Sequence, residues 1–337
     1  MDILLASESG QYNEKVVEGT GSGIRIINVP FRIIPILEEP AYRDVKKLFM
    51  REQYDYVQIN EEGGIASYLI ARACLKCGLK FGIYQGMYRI LSGRKRTLYD
   101  AFHHRFFRPL LRRGAIGAFC KTNQAKDFLE QRGYKNTHVV PVGLDFSKFE
   151  DRRDIDWRAR LEVPKGDQLV LYVGRLEARR NPKFIAQLAT ESGEHVHFVL
   201  VGEGPYRTKI EEIKTARNLK NLHLLGQLKQ EELPALYEQA DVFILPSDYE
   251  IYGMVIAESL FFGTPVVSTK TAGSIDIIQD SMLGSLIPEL NVSNWLTMLS
   301  KREAADSMDG ERTAYARKKF DWTRIAQEYL EFIIKCM

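Results

Sequence analysis

The stretch Val242-Phe243-Ile244-Leu245-Pro246-Ser247-Asp248-Tyr249-Glu250-Ile251-Tyr252-Gly253-Met254-Val255-Ile256-Ala257-Glu258-Ser259-Leu260-Phe261-Phe262-Gly263-Thr264-Pro265-Val266-Val267-Ser268 decides the fold. Val242–Leu245 is a short apolar run of strand type, and residues 246–253 are a polar loop closed by a glycine. Met254–Phe262 reads as a helix, and Pro265–Ser268 as a second strand. Strand, loop, helix, strand is the repeating unit of a parallel sheet, because parallel neighbours need a crossover.

The same alternation extends outward in both directions. Upstream lie the strand candidates Leu169–Val173, Val196–Val201 and Leu222–Leu225, with helices expected at Lys183–Thr190, Tyr206–Arg217 and Glu231–Gln239. The first half offers Ile3–Ala6, Ile24–Val29, Tyr56–Ile59, Phe81–Tyr84, Ala115–Cys120 and His138–Val142. Between the two series, Glu150–Arg160 followed by Pro164-Lys165-Gly166-Asp167 is the candidate linker. An amphipathic helix from Thr323 to Lys335 closes the chain. At 337 residues there is room for two cores. The expected architecture is α/β: two facing Rossmann-like, doubly wound domains, spanning 1–155 and 160–320. The closing segment 321–337 is expected to cross back onto the first domain.

Open parallel sheets bind ligands beyond the carboxyl ends of their strands. Applied here, that rule gathers Gly174 to Asn181, Gly202 to Pro205, Pro246 to Gly253 and Lys270 to Ser274 on one edge of the second domain. Each piece suits a charged ligand. Gly253, Met254 and Val255 begin a helix, whose first-turn amides are donors for an anion. Arg175 and Arg180 carry permanent charge and forked donors, which suit a diphosphate. Glu258, in the second turn of that helix, is a carboxylate able to accept from the two hydroxyls of a ribose. Glu250, on the loop, is placed for a second polyol. Taken singly, each reads as an ordinary turn or a solvated charge; their convergence on one edge is what points to function.

In combination these residues resemble the retaining glycosyltransferases of family 4, the group 1 glycosyltransferases with the GT-B fold. The resemblance rests on Val173-Gly174-Arg175-Leu176 with Arg180, on Val201-Gly202-Glu203-Gly204-Pro205, and above all on Pro246 to Val267. Val140-Pro141-Val142-Gly143-Leu144-Asp145 adds to it. It implies that Arg175 and Arg180 hold a donor diphosphate and that Glu258 binds the ribose. It also implies that Glu250, with the amides near Tyr252, Gly253 and Met254, holds the transferred sugar. The base is then expected by Gly226, Gln227 and Leu228, on backbone groups. Asn181 and Ile251 replace common glycines, Arg180 replaces a common lysine, and Gln85-Gly86 stands where a histidine is frequent.

Composition narrows the setting. Hydrophobic residues make up 45% and charged residues 27%, a globular balance. Met1-Asp2-Ile3-Leu4-Leu5-Ala6 lacks the basic lead and apolar length of a signal peptide, and no run approaches the roughly 20 apolar residues of a spanning helix. A cytoplasmic protein is expected. The four cysteines do not make a disulfide framework. Cys74 and Cys77 sit in an apolar helical run without further ligands nearby, so no metal site and no resident cofactor are expected.

Charge is uneven. Residues 86–113 hold eight Lys or Arg against the single acid Asp100, a local excess of seven in a chain whose net charge is only +3. Within this segment Leu98, Phe102, Phe106 and Leu110 recur every fourth residue, and Pro109 is expected to end or kink the helix. Gln85, Arg94, Lys95, Arg96, Arg105 and Arg108 are the candidates for an acceptor side or an anionic membrane surface. A core-packed helix with a solvated basic side is the plainer alternative, and no nucleic-acid motif accompanies the charge.

The expected activity is transfer of a sugar from a nucleoside-diphosphate sugar to a glycan or lipid-linked acceptor, in polysaccharide or glycolipid synthesis. The alternatives are a sugar-nucleotide epimerase of the same fold, or a non-catalytic sugar-nucleotide-binding subunit of a transferase complex.

Overall fold

A computed structural model describes residues 2–7, 13–16, 25–34, 39–42, 44–88, 94–300 and 308–337. By contacts the chain divides into unit 1, residues 1–140 with 330–337, and unit 2, residues 141–329.

Among the described residues, unit 1 carries two four-stranded sheets. The first contains β1 (Asp2–Ser7), β2 (Asn13–Val16), β3 (Arg25–Ile34) and β4 (Glu39–Tyr42). Here β1 runs parallel to β3, whereas β2 and β4 pair with β3 antiparallel. The sequence reads one unbroken parallel series through this region; the structure corrects that, because β2 and β4 are four-residue strands without the apolar run that marks a buried parallel strand. The second sheet is parallel, in the order β5 (Tyr56–Asn60), β6 (Lys80–Gln85), β7 (Ala115–Cys120), β8 (Thr137–Val139). Its core holds Ile59, Phe81, Ile83, Ala118 and Cys120. Cys74 lies fully buried on the helix Ile65–Cys77, and burial pushes its thiol up to about 12, so it stays protonated and inert.

Unit 2 is one parallel sheet in the order β11-β10-β9-β12-β13-β14. The strands are β9 (Gln168–Val173), β10 (Val196–Val201), β11 (Leu222–Gly226), β12 (Val242–Leu245), β13 (Val266–Thr269) and β14 (Gly284–Ile287). Leu169 to Tyr172 and Phe243 to Leu245 have no exposed surface. Burial on both faces explains why these strands read as continuous apolar runs, and each large side chain so buried contributes about 2 kcal/mol. The chain starts in the middle of the sheet, builds outward through β10 and β11, then returns to build β12 on the other side of β9. That reversal opens a crevice between the loops after β9 and β12.

The polar stretch 150–160 is not a linker. Asp156 caps a short helix, Trp157–Arg160, and Trp157 inserts into the core of unit 2 at 2% exposure, its indole Nε1 donating to the Glu232 carbonyl. Arg158 pairs with Asp241 at 2.6 Å. The contact boundary falls earlier, at Val140–Pro141. The last helix, Trp322–Cys336, starts within unit 2, where a Cβ on Gly143 would strike Trp322. Its final residues belong to unit 1, where Phe332 stacks on His138 with centroids 4.4 Å apart and Lys80 bonds the Met337 carbonyl.

Candidate functional site

The crevice of unit 2 is built from backbone first. Beyond the strand ends the ladder continues: Gly174 N donates to Val201 O at 2.9 Å, Leu176 N to Glu203 O at 3.0 Å and Gly202 N to Gly226 O at 2.7 Å. This knits the loops after β9, β10 and β11 into one floor. Gly202 sits at φ +129°, and a Cβ there would overlap the Gly174 carbonyl, so the close approach demands glycine. Gln227 is exposed and Leu228 half-buried on the loop after β11, two strands and about 10 Å from β9.

Across the crevice lies the loop after β12. Its shape is fixed by Asn181, which adopts φ +52° and donates from Nδ2 to Pro246 O at 2.8 Å and to Asp248 Oδ1 at 2.7 Å. Asp248 N returns a bond to Arg179 O at 2.9 Å, and Arg179 Nη1 donates to Tyr249 O at 3.0 Å. Asparagine at a common glycine position is thus accounted for: it tolerates the left-handed region and supplies a side-chain clamp that glycine lacks. Asn181 and Arg179 were missed as site-building residues by sequence reasoning; the signal available was the departure from glycine.

Of the residues singled out, the structure joins Arg180 and Glu250 most closely. They form an ion pair, with the carboxylate side chain at 6% exposure and the guanidinium at 16%. Burial holds the Arg180 guanidinium below its ordinary value, although it remains a cation. Arg175 is on the same loop but 71% exposed, with Glu177 3.9 Å away. Gly174, at the start of that loop, forms the ladder bond already noted.

Gly253, at φ +83°, caps the helix Met254–Phe261, and Tyr252 beside it is buried. The first-turn amides of Met254 and Val255 have no acceptor within the helix itself. Gly273 backs this turn so closely that a Cβ would overlap the Tyr252 carbonyl. Glu258, one turn further on, is half-buried and accepts from Tyr237 Oη at 3.0 Å. Burial raises the Glu258 carboxyl above its ordinary value, and the Tyr237 bond offsets only part of that rise.

The candidates in unit 1 do not form one patch. Gln85 is fully buried: its Oε1 accepts from Glu62 N at 3.0 Å and its Nε2 donates to Met87 O at 3.0 Å. Arg108 is 3% exposed, paired with Glu62 at 3.1 Å and Asp100 at 2.8 Å. It therefore offers no charge to a surface, because an arginine at that depth is held by its carboxylates. Arg105 is exposed, lying 5.7 Å from the Phe106 ring centroid. Leu98, Phe102 and Phe106 are exposed at 73%, 47% and 58% on the same helix, Arg94–Phe106. The side chains of Arg94, Lys95 and Arg96 lie outside the described residues. The break at Phe107, with Pro109 opening the next helix, Arg108–Gly114, is where proline was expected to act. Among the described residues no cluster of three or more His, Cys, Asp or Glu is arranged to hold a metal, and no helix is long and apolar enough to cross a membrane.

Residues 154–318 match the family described as Glycosyl transferases group 1. The chain is similar to the D-inositol 3-phosphate glycosyltransferase of Xylanimonas cellulosilytica, at 28% identity over 210 residues, covering 58% of this chain and 50% of that protein. It is also similar to the alpha-monoglucosyldiacylglycerol synthase of Streptococcus pneumoniae, at 29% over 184 residues, covering 50% and 41%. The chain spans about half the length of these curated relatives. In structure it is similar to Anabaena Alr3699/HepE in complex with UDP, with a TM-score of 0.73 and 20% identity over 87% of this chain and 81% of that one. That likeness is one of fold, the GT-B class.

Proposed function

We propose that this chain, whose residues 154–318 match the family described as Glycosyl transferases group 1, transfers a sugar from a nucleoside-diphosphate sugar to a glycan or lipid-linked acceptor, with retention at the anomeric carbon. The observation that carries the reading is the convergence of Arg180, Glu250 and the Gly253 helix start on the crevice between β9 and β12, with Arg175 at its rim. In this reading the base lies by Gly226, Gln227 and Leu228, Glu258 accepts from the ribose, and the diphosphate lies between Arg175 and Arg180. Glu250 and the backbone of Tyr252, Gly253 and Met254 meet the sugar hydroxyls.

Transfer breaks the bond from the anomeric carbon to the diphosphate oxygen, and the electron pair stays on the diphosphate. A hydroxyl oxygen of the acceptor forms the new bond and loses its proton. Charge therefore grows on the leaving diphosphate, where the buried guanidinium of Arg180 and the exposed one of Arg175 stabilise it. Glu250 pairs with Arg180 and holds its guanidinium in place. We assign no resident metal to this step, since the arginines supply the cationic charge. The similarity to a lipid-glycosylating synthase supports a lipid-linked acceptor. The exposed Leu98, Phe102 and Phe106 with Arg105 support docking on an anionic membrane, at its inner face, by this helix. Flotation with anionic vesicles, lost on Phe102→Ser/Phe106→Ser, checks that surface.

The deciding experiment incubates the protein with a panel of UDP- and GDP-sugars and glycan or lipid extracts. A glycosylated product whose anomeric configuration by NMR equals that of the donor is expected. A new sugar nucleotide formed without acceptor would replace this reading with epimerisation, and nucleotide-sugar binding with no turnover would leave a binding subunit.

A further inference from the structure

Tyr237 is a fully buried tyrosine on the helix Leu233–Gln239, outside every loop of the crevice. Its ring is held on two sides: Phe262 stacks on it with centroids 5.6 Å apart and planes 8° from parallel, and Phe243 lies 5.9 Å away. Its carbonyl accepts from Thr264 Oγ1 at 2.6 Å. A side chain gripped in this way has one rotamer. Its single polar atom donates to Glu258 Oε2 at 3.0 Å. Burial raises the phenol well above its ordinary value, so it remains a donor at every accessible pH. Among the described residues no other group hydrogen-bonds the Glu258 carboxylate, so Oε1 is left to meet something else.

We infer that Tyr237 is the positioning residue of the ribose subsite: its hydroxyl fixes Glu258 through Oε2 and leaves Oε1 to accept from the ribose hydroxyls. The inference rests on the assignment of Glu258 to the ribose made above. Two effects of the hydroxyl work together. It sets the direction of the free oxygen, and it favours the ionised carboxylate, which is the form with acceptors to spare.

The test is calorimetric binding to the full chain of UDP and GDP, continuing with the tighter one and its 2′,3′-dideoxy counterpart. Tyr237→Phe removes only the hydroxyl. It is expected to weaken the ribonucleotide about tenfold, as loss of a hydrogen bond to a charged group does. The dideoxy nucleotide should change by less than about twofold, the pair's discrimination being the quantity lost. The acid limb of ribonucleotide binding should also move to higher pH in the variant. If the wild type prefers the ribonucleotide, Glu258→Gln erases that preference and Tyr237→Phe keeps it whole, then Tyr237 has no such role while the ribose assignment stands. If the wild type shows no preference and Glu258→Gln changes nothing, the ribose assignment itself falls, and the inference with it. Should Tyr237→Phe fail to fold, Thr264→Val, which releases the Tyr237 carbonyl and so loosens the residue whose hydroxyl is aimed at Glu258, takes its place. A loss confined to the ribonucleotide is then expected, and an equal loss with both nucleotides overturns the inference.

Discussion

Replacing Arg180 by methionine separates what the buried pair does for stability from what it does for transfer. Methionine keeps most of the length and apolar stem, so packing changes little. What is lost is the partner of Glu250, a carboxylate whose side chain is only 6% exposed. Breaking a buried pair by removing one partner costs about 3–5 kcal/mol, and the 16% exposure of Arg180 puts this case at the lower end, about 3 kcal/mol. For a unit of this size each kcal/mol lowers the melting temperature by about 2–4 °C, so a drop of roughly 6–12 °C is expected. The double variant Arg180→Met/Glu250→Gln removes the stranded charge and should recover most of that loss. Turnover should follow a different pattern. Loss of one cationic donor at the diphosphate lowers turnover by about 10²–10³-fold, and the double variant should not restore it. Thermal unfolding by calorimetry and initial rates at saturating donor, measured on the same preparations, check both. If the single variant melts with the wild type, Glu250 is not held by Arg180. If the double variant regains turnover, Arg180 serves Glu250 alone and never meets the diphosphate.

Arg175→Ala should behave oppositely to Arg180→Met in one respect. Its side chain is 71% exposed, so the melting temperature should stay within about 1 °C while turnover falls about a hundredfold; near-wild-type rates would remove it from the site. Gly273→Ala should weaken nucleotide-sugar binding and stability together, read by titration and calorimetry, because the new methyl must displace the Tyr252 carbonyl and with it the Gly253 helix start. At the opposite end of the same sheet, His223 Nε2 lies 3.3 Å from His197 Nδ1, and His197 Nε2 lies 3.1 Å from Asp167. Burial, then the neighbouring His197 and Lys214, hold the His223 imidazole down at about 4 from its ordinary 6.5. The folded state thus favours neutral His223, and this stabilisation is complete above pH 6.5 and drains away as pH falls toward 4, by on the order of 2–3 kcal/mol. Denaturant unfolding at pH 7, 5.5 and 4.5 should show that fall in the wild type and a shallower one in His223→Gln.

The second half of the chain was legible because its strands are buried on both faces. Val196–Val201 and Val242–Leu245 have the bounds that their apolar runs imply, as does Ala115–Cys120 in the first half. β14 escaped notice: Gly284-Ser285-Leu286-Ile287 sits at the sheet edge with a single fully apolar pair, too short a run to stand out from a turn. Charge gave the opposite difficulty. A count along residues 86–113 sums eight cations, but it cannot see that Glu62, far away in sequence, folds under Arg108 and Arg132. The pairing of Arg180 with Glu250 was equally invisible as a contact, although the rule about strand ends brought both to one edge. The place of Asn181 was readable only as an anomaly; its two hydrogen bonds required coordinates.

The return of the chain from β11 to β12 has a kinetic side. β9 meets β12 through Val170 with Val242 and Leu171 with Phe243, partners separated by about seventy residues of intervening chain. Until that seam closes, the two lips of the crevice belong to different, unjoined halves of unit 2, and no partly assembled form can offer a nucleotide all of its contacts. Ligand capture then reports completed assembly, and ligand present during refolding should slow unfolding of the finished sheet more than it speeds its formation.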